Sequence, residues 1–349
     1  MPDLHACPAG TGSLRLGTRT LLWHRRASGM GLLLAAAVLA LAVAAIGLGS
    51  DRLSFGDTLA TLLGQGTRLQ EIMLFRIRLP RVAAAIVAGL AMGMAGCLIQ
   101  TLVRNRLATP DMVGVNEGAS LGVVVFALYL TVGSWPWWAA PFGALLAAAA
   151  LFALCRRPGE QGYLFIVIGI AVSELLGALG DFALSTQPIV HLGSLYLWSM
   201  GHFAGIGYPT VGPVALLLLA LCPAMALVAR PLATLRFGEA TARNLGVAVP
   251  WVQLGVLALA ILVAALGTAI GGPVVFIAMA APIMAHWLAR DHLAPIWLSA
   301  LCGALLLLGS DTLVRLLAQP EEIPTGVMTR LLGGLLLLAL LIKDKRGSD

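Results

Sequence analysis

Three acidic residues sit where an acid is expensive. Glu117, Glu174 and Asp181 fall within long apolar runs, and Asn116 stands beside the first of them. An ionisable group in hydrocarbon pairs with another group, or faces water or a substrate path, where it can also hold or pass a proton. Glu174 and Asp181 are seven positions apart and so share one face of a helix. That pair suits pathway lining, pairing with another helix, or proton coupling. Asn116-Glu117-Gly118 opens an apolar run directly after the polar stretch "RNRLATPDMVG", which suits a gate or pathway role as well as simple helix-start chemistry. Other chemistry is missing. The only lysines are Lys343 and Lys345, so no P-loop lysine can reach a nucleotide phosphate. No HExxH, GxSxG or Asp-rich diphosphate motif is present, which argues against a membrane enzyme. The five cysteines are scattered without metal-ligand spacing and read as small apolar fillers. The chain itself is therefore expected to bind no metal and no cofactor.

The elements that must hold these residues are helices in a membrane. Of 349 residues, 59% are hydrophobic and 11% charged, with a mean hydropathy of +0.94. Soluble domains carry about 25% charged residues. The apolar runs are unbroken rather than alternating, which indicates helices and not a barrel. In hydrocarbon each backbone N–H needs an internal partner, and a helix supplies it. The chain reads as an all-α integral membrane protein with ten spans, at about 29–49, 80–103, 114–132, 136–155, 162–184, 205–229, 248–269, 274–289, 294–317 and 323–342. Residues 1–28 and 343–349 are expected as tails around a transmembrane domain over 29–342. With the N-terminus inside, most of the 22 Lys and Arg residues fall on the inner side, so both termini are expected in the cytoplasm. The same bias explains the net charge of +6 without nucleic acid. Trp135, Trp137 and Trp138 cluster at an outer boundary, as an aromatic belt would place them.

One inner connection is longer than a connector needs. Residues 230–250, "RPLATLRFGEATARNLGVAVP", exceed the two to eight residues that usually join helices. Leu235, Ala242 and Leu245 can form one face of a short helix, and Glu239 with Arg243 makes an i,i+4 pair in the favoured order. Such a segment is either an interfacial helix or a helix that docks on a cytoplasmic motor subunit.

Five segments in order carry a resemblance: "RIRLPRVAAAIVAGLAMGMAGCLIQTLVRNRLATPDMVGVNEGASLG", "FGEATARNLGV", "GGPVVFIAMAAPIMAHWL", "LLLGSDTLVRLL" and "EEIPTGVMTRLLGG". With them the chain resembles the permease subunits of ABC importers for iron–siderophores, haem and cobalamin, from about Arg76 to Leu341. The resemblance implies a type II importer fold with ten helices per subunit. It also implies a second permease copy or a paralogue and two ATPase subunits that bind ATP-Mg. A periplasmic or lipid-anchored binding protein would deliver the cargo, in a bacterial inner membrane. Ferric siderophore is the expected cargo, with haem and cobalamin as alternatives. A proton-coupled secondary transporter using Glu174 and Asp181 is the rival of a different class, and the break at Gly271-Gly272-Pro273 suits such folds too.

The resemblance also assigns residues. It implies that Arg78, Arg81 and Arg315 dock the binding protein, as exposed guanidiniums pair with carboxylates, with Asp311 one turn away to orient Arg315. It implies that Glu239, Ala242, Arg243 and Gly246 couple to the ATPase, and that Asn105 and Leu107 narrow the cytoplasmic end of the pathway. Arg106 departs from the family pattern by replacing a proline, which removes a rigid turn and adds charge. Ile283 and His286 depart at positions that are usually polar and basic, and His286 is expected to be a solvated or satisfied side chain rather than a switch. Asn116, Glu117, Glu174 and Asp181 are the pathway candidates. His191, Ser194, Tyr196 and Trp198 lie in an outer connection where relatives place a short pathway helix, within reach of substrate.

Overall fold

The computed structural model describes residues 11–16, 19–48, 55–130, 135–154, 162–186, 189–289, 295–318 and 323–347. Among the described residues ten helices coincide with the ten apolar runs, and four short ones lie between them. In chain order they are α1 (Arg25–Gly47), α2 (Phe55–Leu62), α3 (Arg68–Glu71), α4 (Leu79–Val103), α5 (Val115–Val125), α6 (Ala139–Leu154) and α7 (Gly162–Ser185). Then follow α8 (Ile189–Ser199), α9 (Tyr208–Leu235), α10 (Glu239–Asn244), α11 (Val249–Gly271), α12 (Ile277–Ala289), α13 (Ile296–Leu317) and α14 (Thr325–Gly347). A π-helical stretch, Ile72–Arg78, leads into α4, and another, Phe126–Leu130, extends α5.

By length and composition six segments among the described residues can cross a membrane: Arg26–Gly47, Arg68–Val103, Val167–Ser185, Tyr208–Leu235, Val249–Gly271 and Ile296–Leu317. Val115–Leu130, Ala139–Leu154 and Ile277–Ala289 are apolar but shorter. At 1.5 Å per residue, a helix as short as α12 spans roughly 20 Å of a hydrocarbon layer about 30 Å thick. The backbone breaks before it. Gly272 and Phe276 take left-handed φ values of 79° and 72°, and the connection packs inside protein, where an irregular backbone is tolerated at membrane depth.

Within the N-terminal tail, Thr11–Leu16 and Arg19–His24 pair as an antiparallel hairpin that runs directly into α1. Two six-residue strands leave too weak a period-two signal to stand out beside runs of twenty apolar residues.

Helices α4 and α11 form the centre of the bundle: 78% of the apolar window of each is buried, against 22% for α1, α7 and α9. Those outer helices present leucines to the surroundings, among them Leu32, Leu39, Leu175 and Leu216. Lipid tails are as apolar as leucine, so helices in a membrane associate through close packing of small residues. Helix α4 does this with a ladder of glycines. A Cβ on Gly89 would lie 2.5 Å from the Gly303 carbonyl oxygen, one on Gly93 2.2 Å from that of Ser299, and one on Gly96 1.7 Å from that of Ala278. Polar bonds fasten the same seams: Ser299 Oγ donates to the Gly93 carbonyl at 2.6 Å, and Gln100 Nε2 to that of Met279 at 3.1 Å.

Candidate functional site

The three arginines singled out for docking do meet, at the end of the bundle that the charge bias assigns to the outside. The last carbonyls of α1 have no partner within their helix and carry the negative end of its dipole, so they attract cations. Arg78 donates to the Ile46 carbonyl at 2.7 Å and Arg315 to that of Ala45 at 2.8 Å. Asp311, fully buried on α13, receives Arg81 Nε at 3.1 and 3.2 Å and Arg81 Nη2 at 3.0 Å. Arg315 Nε lies 3.5 Å from the same carboxylate, and the Thr325 hydroxyl at the start of α14 donates to it at 2.8 Å. Three helices, α4, α13 and α14, thus converge on one carboxylate, and Arg315 ties the end of α1 to them.

This placement corrects the expectation of exposed guanidiniums. Arg78 is 6% and Arg81 8% exposed, because the carboxylate that holds Arg81 comes from a helix 230 positions further along the chain. Spacing along one helix showed only the weaker Asp311–Arg315 pair. Two guanidiniums, Arg81 and Arg315, share that carboxylate, while Arg78 holds the Ile46 carbonyl and its buried Nη2 has no hydrogen-bond partner among the described residues.

At the opposite end, the loop after α4 is tightly built. Arg104 caps α4 in a left-handed conformation, φ 57°, and reaches the Leu235 carbonyl at the end of α9 at 2.7 Å. The Asn105 side chain accepts from the Leu107 N–H at 2.9 Å, an Asx turn that stands in for the rigid turn that a proline at Arg106 would supply. Leu107 is left 47% exposed at the tip.

Asn116 does not line an open surface. It is 5% exposed, donates to Asp111 through a short bond, and lies with its Oδ1 3.1 Å from the Thr268 hydroxyl of α11. Its role in the fold is to tie the loop to the central helix. Burial pushes the Asp111 carboxyl up to about 7 from 3.8; nearby Glu117 adds to the rise and the Asn116 bond opposes it. An acid whose pKa is raised by folding stabilises the fold fully below its unfolded pKa, and that contribution fades as pH rises through the folded value. The Asp111→Asn variant is therefore expected to match the wild type in unfolding temperature at pH 4 and to exceed it, by on the order of 2–4 °C, at pH 8. Scanning fluorimetry of the detergent-solubilised protein measures this, and an equal difference at both pH values would contradict it.

The intramembrane acids come together as a group. Glu117 packs over Gly177, where a Cβ would lie 3.3 Å from its Oε2, so it stands midway between Glu174 and Asp181 on the facing helix. Both α7 acids are exposed on the chain's surface while Glu117 is half-buried. Among the described residues no group of His, Cys, Asp and Glu side chains is placed to hold a metal ion. His286 is satisfied as expected, its Nδ1 being 2.8 Å from the Pro282 carbonyl.

In the long inner connection, α10 is bracketed by Gly238 and Gly246, with φ values of 107° and 81° that favour glycine. Glu239 and Arg243 pair at 3.4 Å as their spacing implied, and Gln253 of α11 binds the other Glu239 oxygen at 2.9 Å. The expected apolar face splits. Leu235 and Ala242 are buried against the bundle, whereas Leu245 is 65% exposed. Ala242 therefore seats the segment and touches nothing outside. The outward side belongs to Phe237, Leu245 and Trp251, 63%, 65% and 75% exposed, together with Arg243. Of these, Phe237 and Trp251 went unrecognised in the sequence, as did Thr268, Thr325 and Gln253. A phenylalanine before Gly-Glu and a tryptophan after Val-Pro, both flanking a polar segment, were the available signal.

Among the outer candidates, Ser194 and Tyr196 of α8 are exposed and Trp198 is buried, while the side chain of His191 lies outside the described residues.

Comparison with known proteins agrees on one group. Residues 34–343 match the FecCD transport family. The chain is 33% identical over 302 residues to the ferric enterobactin transport system permease protein FepG of Escherichia coli, covering 85% of this chain and 91% of that protein. It is 32% identical over 281 residues to the vitamin B12 import system permease protein BtuC of Klebsiella pneumoniae, covering 79% and 84%. A metal-chelate type ABC transporter solved in an inward-facing conformation shares the fold, with a TM-score of 0.80 at 24% identity over 90% of this chain and 99% of that one.

Proposed function

The chain belongs to the FecCD transport family, and on that premise we propose that it moves ferric siderophores inward through the inner membrane of a bacterium. It is the multi-pass membrane permease of an ABC importer, a transport component and not an enzyme. That membership sets aside the rival proton-coupled transporter, which rested on the pair Glu174 and Asp181 and on the break at Gly271-Gly272-Pro273. The cargo reading is supported by the ferric enterobactin permease, which matches more of the chain than the vitamin B12 permease does. Haem and cobalamin are the other outcomes of a transport assay.

In this reading both termini are cytoplasmic, and two such subunits, identical or paralogous, stand on two ATPase subunits that bind ATP-Mg. The observation that carries it is the α10 segment. A short helix held by Ala242 and Leu235 from behind, bridged to α11 by Glu239–Gln253, presents Phe237, Leu245 and Arg243 outward. Exposed aromatic and aliphatic side chains around a charge make a surface that a motor subunit would cover. Movement of α10 would pass to α11 through the Glu239–Gln253 bond. Asn105 and Leu107 narrow the inner end of the pathway, and Glu117, Glu174 and Asp181 line it. A binding protein's carboxylates are drawn to this end by the excess of Arg78, Arg81 and Arg315 over Asp311.

The test is a gentle-detergent pull-down of the chain with mass spectrometry, repeated on the Phe237→Asp/Leu245→Asp double variant. Wild type is expected to bring down an ATPase subunit, and the variant to lose it along with at least about tenfold of ATP-driven uptake, the loss that removing two apolar contacts of about 1 kcal/mol each produces. A variant that keeps full uptake would exclude α10 as the coupling surface.

A further inference from the structure

The connection between the first two spans carries an inverted helix. In α2 the threonines face the protein and the apolar side chains face away. Thr58 and Thr61 are buried, whereas Phe55, Leu59, Leu62 and Leu63 are each more than half exposed. The spacing of those four places them on one side of the helix, and a helix on a protein surface in water shows the reverse arrangement. Withdrawing such a side chain from water is worth about 1.5–3 kcal/mol, so four of them together call for an apolar cover.

The polar side of the segment is held within the protein. Thr61 Oγ donates to the Asp57 carbonyl at 2.6 Å, and the chain turns back over it at Gly66, where a Cβ would lie 2.5 Å from the same oxygen. Asp57, the one charged residue of α2, is half-buried. Thr67 then caps α3 in a reciprocal pair of bonds with Gln70, at 3.4 and 2.7 Å. The inverted face is therefore presented by a built element and not by a frayed one.

The neighbours of α2 decide what covers it. Leu32, Leu39 and Val43 form one exposed stripe on α1, a helix long and apolar enough to cross the membrane. Gly47 ends that stripe, and Phe55 lies over it, since a Cβ on Gly47 would be 2.4 Å from the ring. The lipid-facing surface of α1 thus continues directly onto α2. The other flank agrees. Arg68–Val103 is 36 residues long, roughly 54 Å of helix against a hydrocarbon layer about 30 Å thick. Its excess lies at the outer end, ahead of the Arg78 cluster, and there Leu69, Ile72, Phe75 and Ile77 are exposed beside Arg68 and Arg76. Apolar side chains interleaved with long basic ones fit the boundary between acyl chains and phosphates. We propose that α2 lies along the outer leaflet with its apolar face in the acyl chains, so that the connection between the first two spans is a membrane anchor and not an aqueous loop. A binding protein fits this face poorly, because α2 carries no Lys or Arg to meet the carboxylates that such a protein brings. The anchor fixes the end of α1, and with it Arg78 and Arg315 on the Ile46 and Ala45 carbonyls, at the level of the bilayer surface. It is independent of which cargo is carried.

Electron paramagnetic resonance tests the anchor on the chain purified with its accompanying subunits and reconstituted in phosphatidylcholine–phosphatidylglycerol liposomes. Spin labels are carried, one at a time, on a ketone-bearing unnatural residue in place of Leu59, Leu63, Gln65 or Leu216. Oxygen concentrates in acyl chains and a nickel chelate stays in water, so their collision rates report the solvent at each label. Gln65, exposed in the polar turn after α2, is the water reference, and Leu216, exposed on the α9 span, is the lipid reference. The oxygen-to-nickel ratio at the Leu59 and Leu63 positions is expected to exceed that at Gln65 by at least about tenfold and to approach that at Leu216, as an acyl-chain environment requires. A ratio as low as at Gln65 would place the face in water and overturn the anchor. Shielding from both agents would reveal a protein cover and overturn it as well. Photocrosslinking from p-benzoylphenylalanine in place of Leu62 reads the same face chemically. Phospholipid adducts are expected, and adducts with protein subunits alone would exclude lipid as the occupant.

Discussion

Asp311→Ala is expected to destabilise the permease by about 3–5 kcal/mol and to collapse its yield from membranes. Removing one partner of a buried ion pair leaves the other charge uncompensated, and that stranded charge is the larger part of the loss. Here one carboxylate with no exposed surface accepts from Arg81 on α4 and Thr325 on α14 and lies beside Arg315 on its own helix. Its removal would take from Arg81 and Arg315 the carboxylate they share, at the end of α1 where Arg78 and Arg315 already hold the Ile46 and Ala45 carbonyls. Asp311→Asn keeps a group that can accept from Thr325 and is expected to fall between wild type and alanine. Pairing Asp311→Leu with Arg81→Met removes both buried charges together and is expected to recover a large part of the loss, since apolar replacement of a buried pair is often neutral. Yield and unfolding temperature of the solubilised protein measure the series. An alanine variant as stable as wild type would show that the cluster contributes nothing to the fold.

Gly96→Val is expected to be comparably severe through sterics alone. A Cβ at that position would lie 1.7 Å from the Ala278 carbonyl oxygen and 2.6 Å from its carbon. Both are backbone atoms, so no side chain can swing aside. Helices α4 and α12 would have to part, and the nearby Gln100–Met279 hydrogen bond, 3.1 Å long, would part with them. Overpacking usually costs about 1–3 kcal/mol, and the closeness of this contact places the substitution at or beyond the upper end. Gly255→Ala supplies the contrast. Nothing lies within 4 Å of a Cβ there, so alanine is expected to be neutral or to stabilise α11 by up to about 1 kcal/mol through helix propensity. Equal behaviour of the two variants would show that the α4–α12 approach is not tight.

Taken alone, the sequence determined the solvent, the number of long helices and their order. Hydrocarbon forces each spanning segment to satisfy its own backbone, and the apolar run this requires is written contiguously. Contacts within one helix were legible for the same reason: Glu239 meets Arg243 because 3.6 residues make a turn. Tertiary structure alone decided which faces meet. Arg81 was read as an outward docking group until Asp311 arrived from α13 to bury it, and Asn116 was read as a pathway residue until Thr268 arrived from α11. Ala242 turned inward and left Phe237 and Leu245 outside, because α10 rests on α9 and α11 rather than on its own neighbours in sequence. The glycine ladder of α4 looked like scattered small residues, and its register with Gly303, Ser299 and Ala278 exists only once three helices pack. In a medium that gives little drive to bury leucine, those distant backbone approaches and the few buried polar bonds choose the arrangement, and neither has a period that a linear reading can follow.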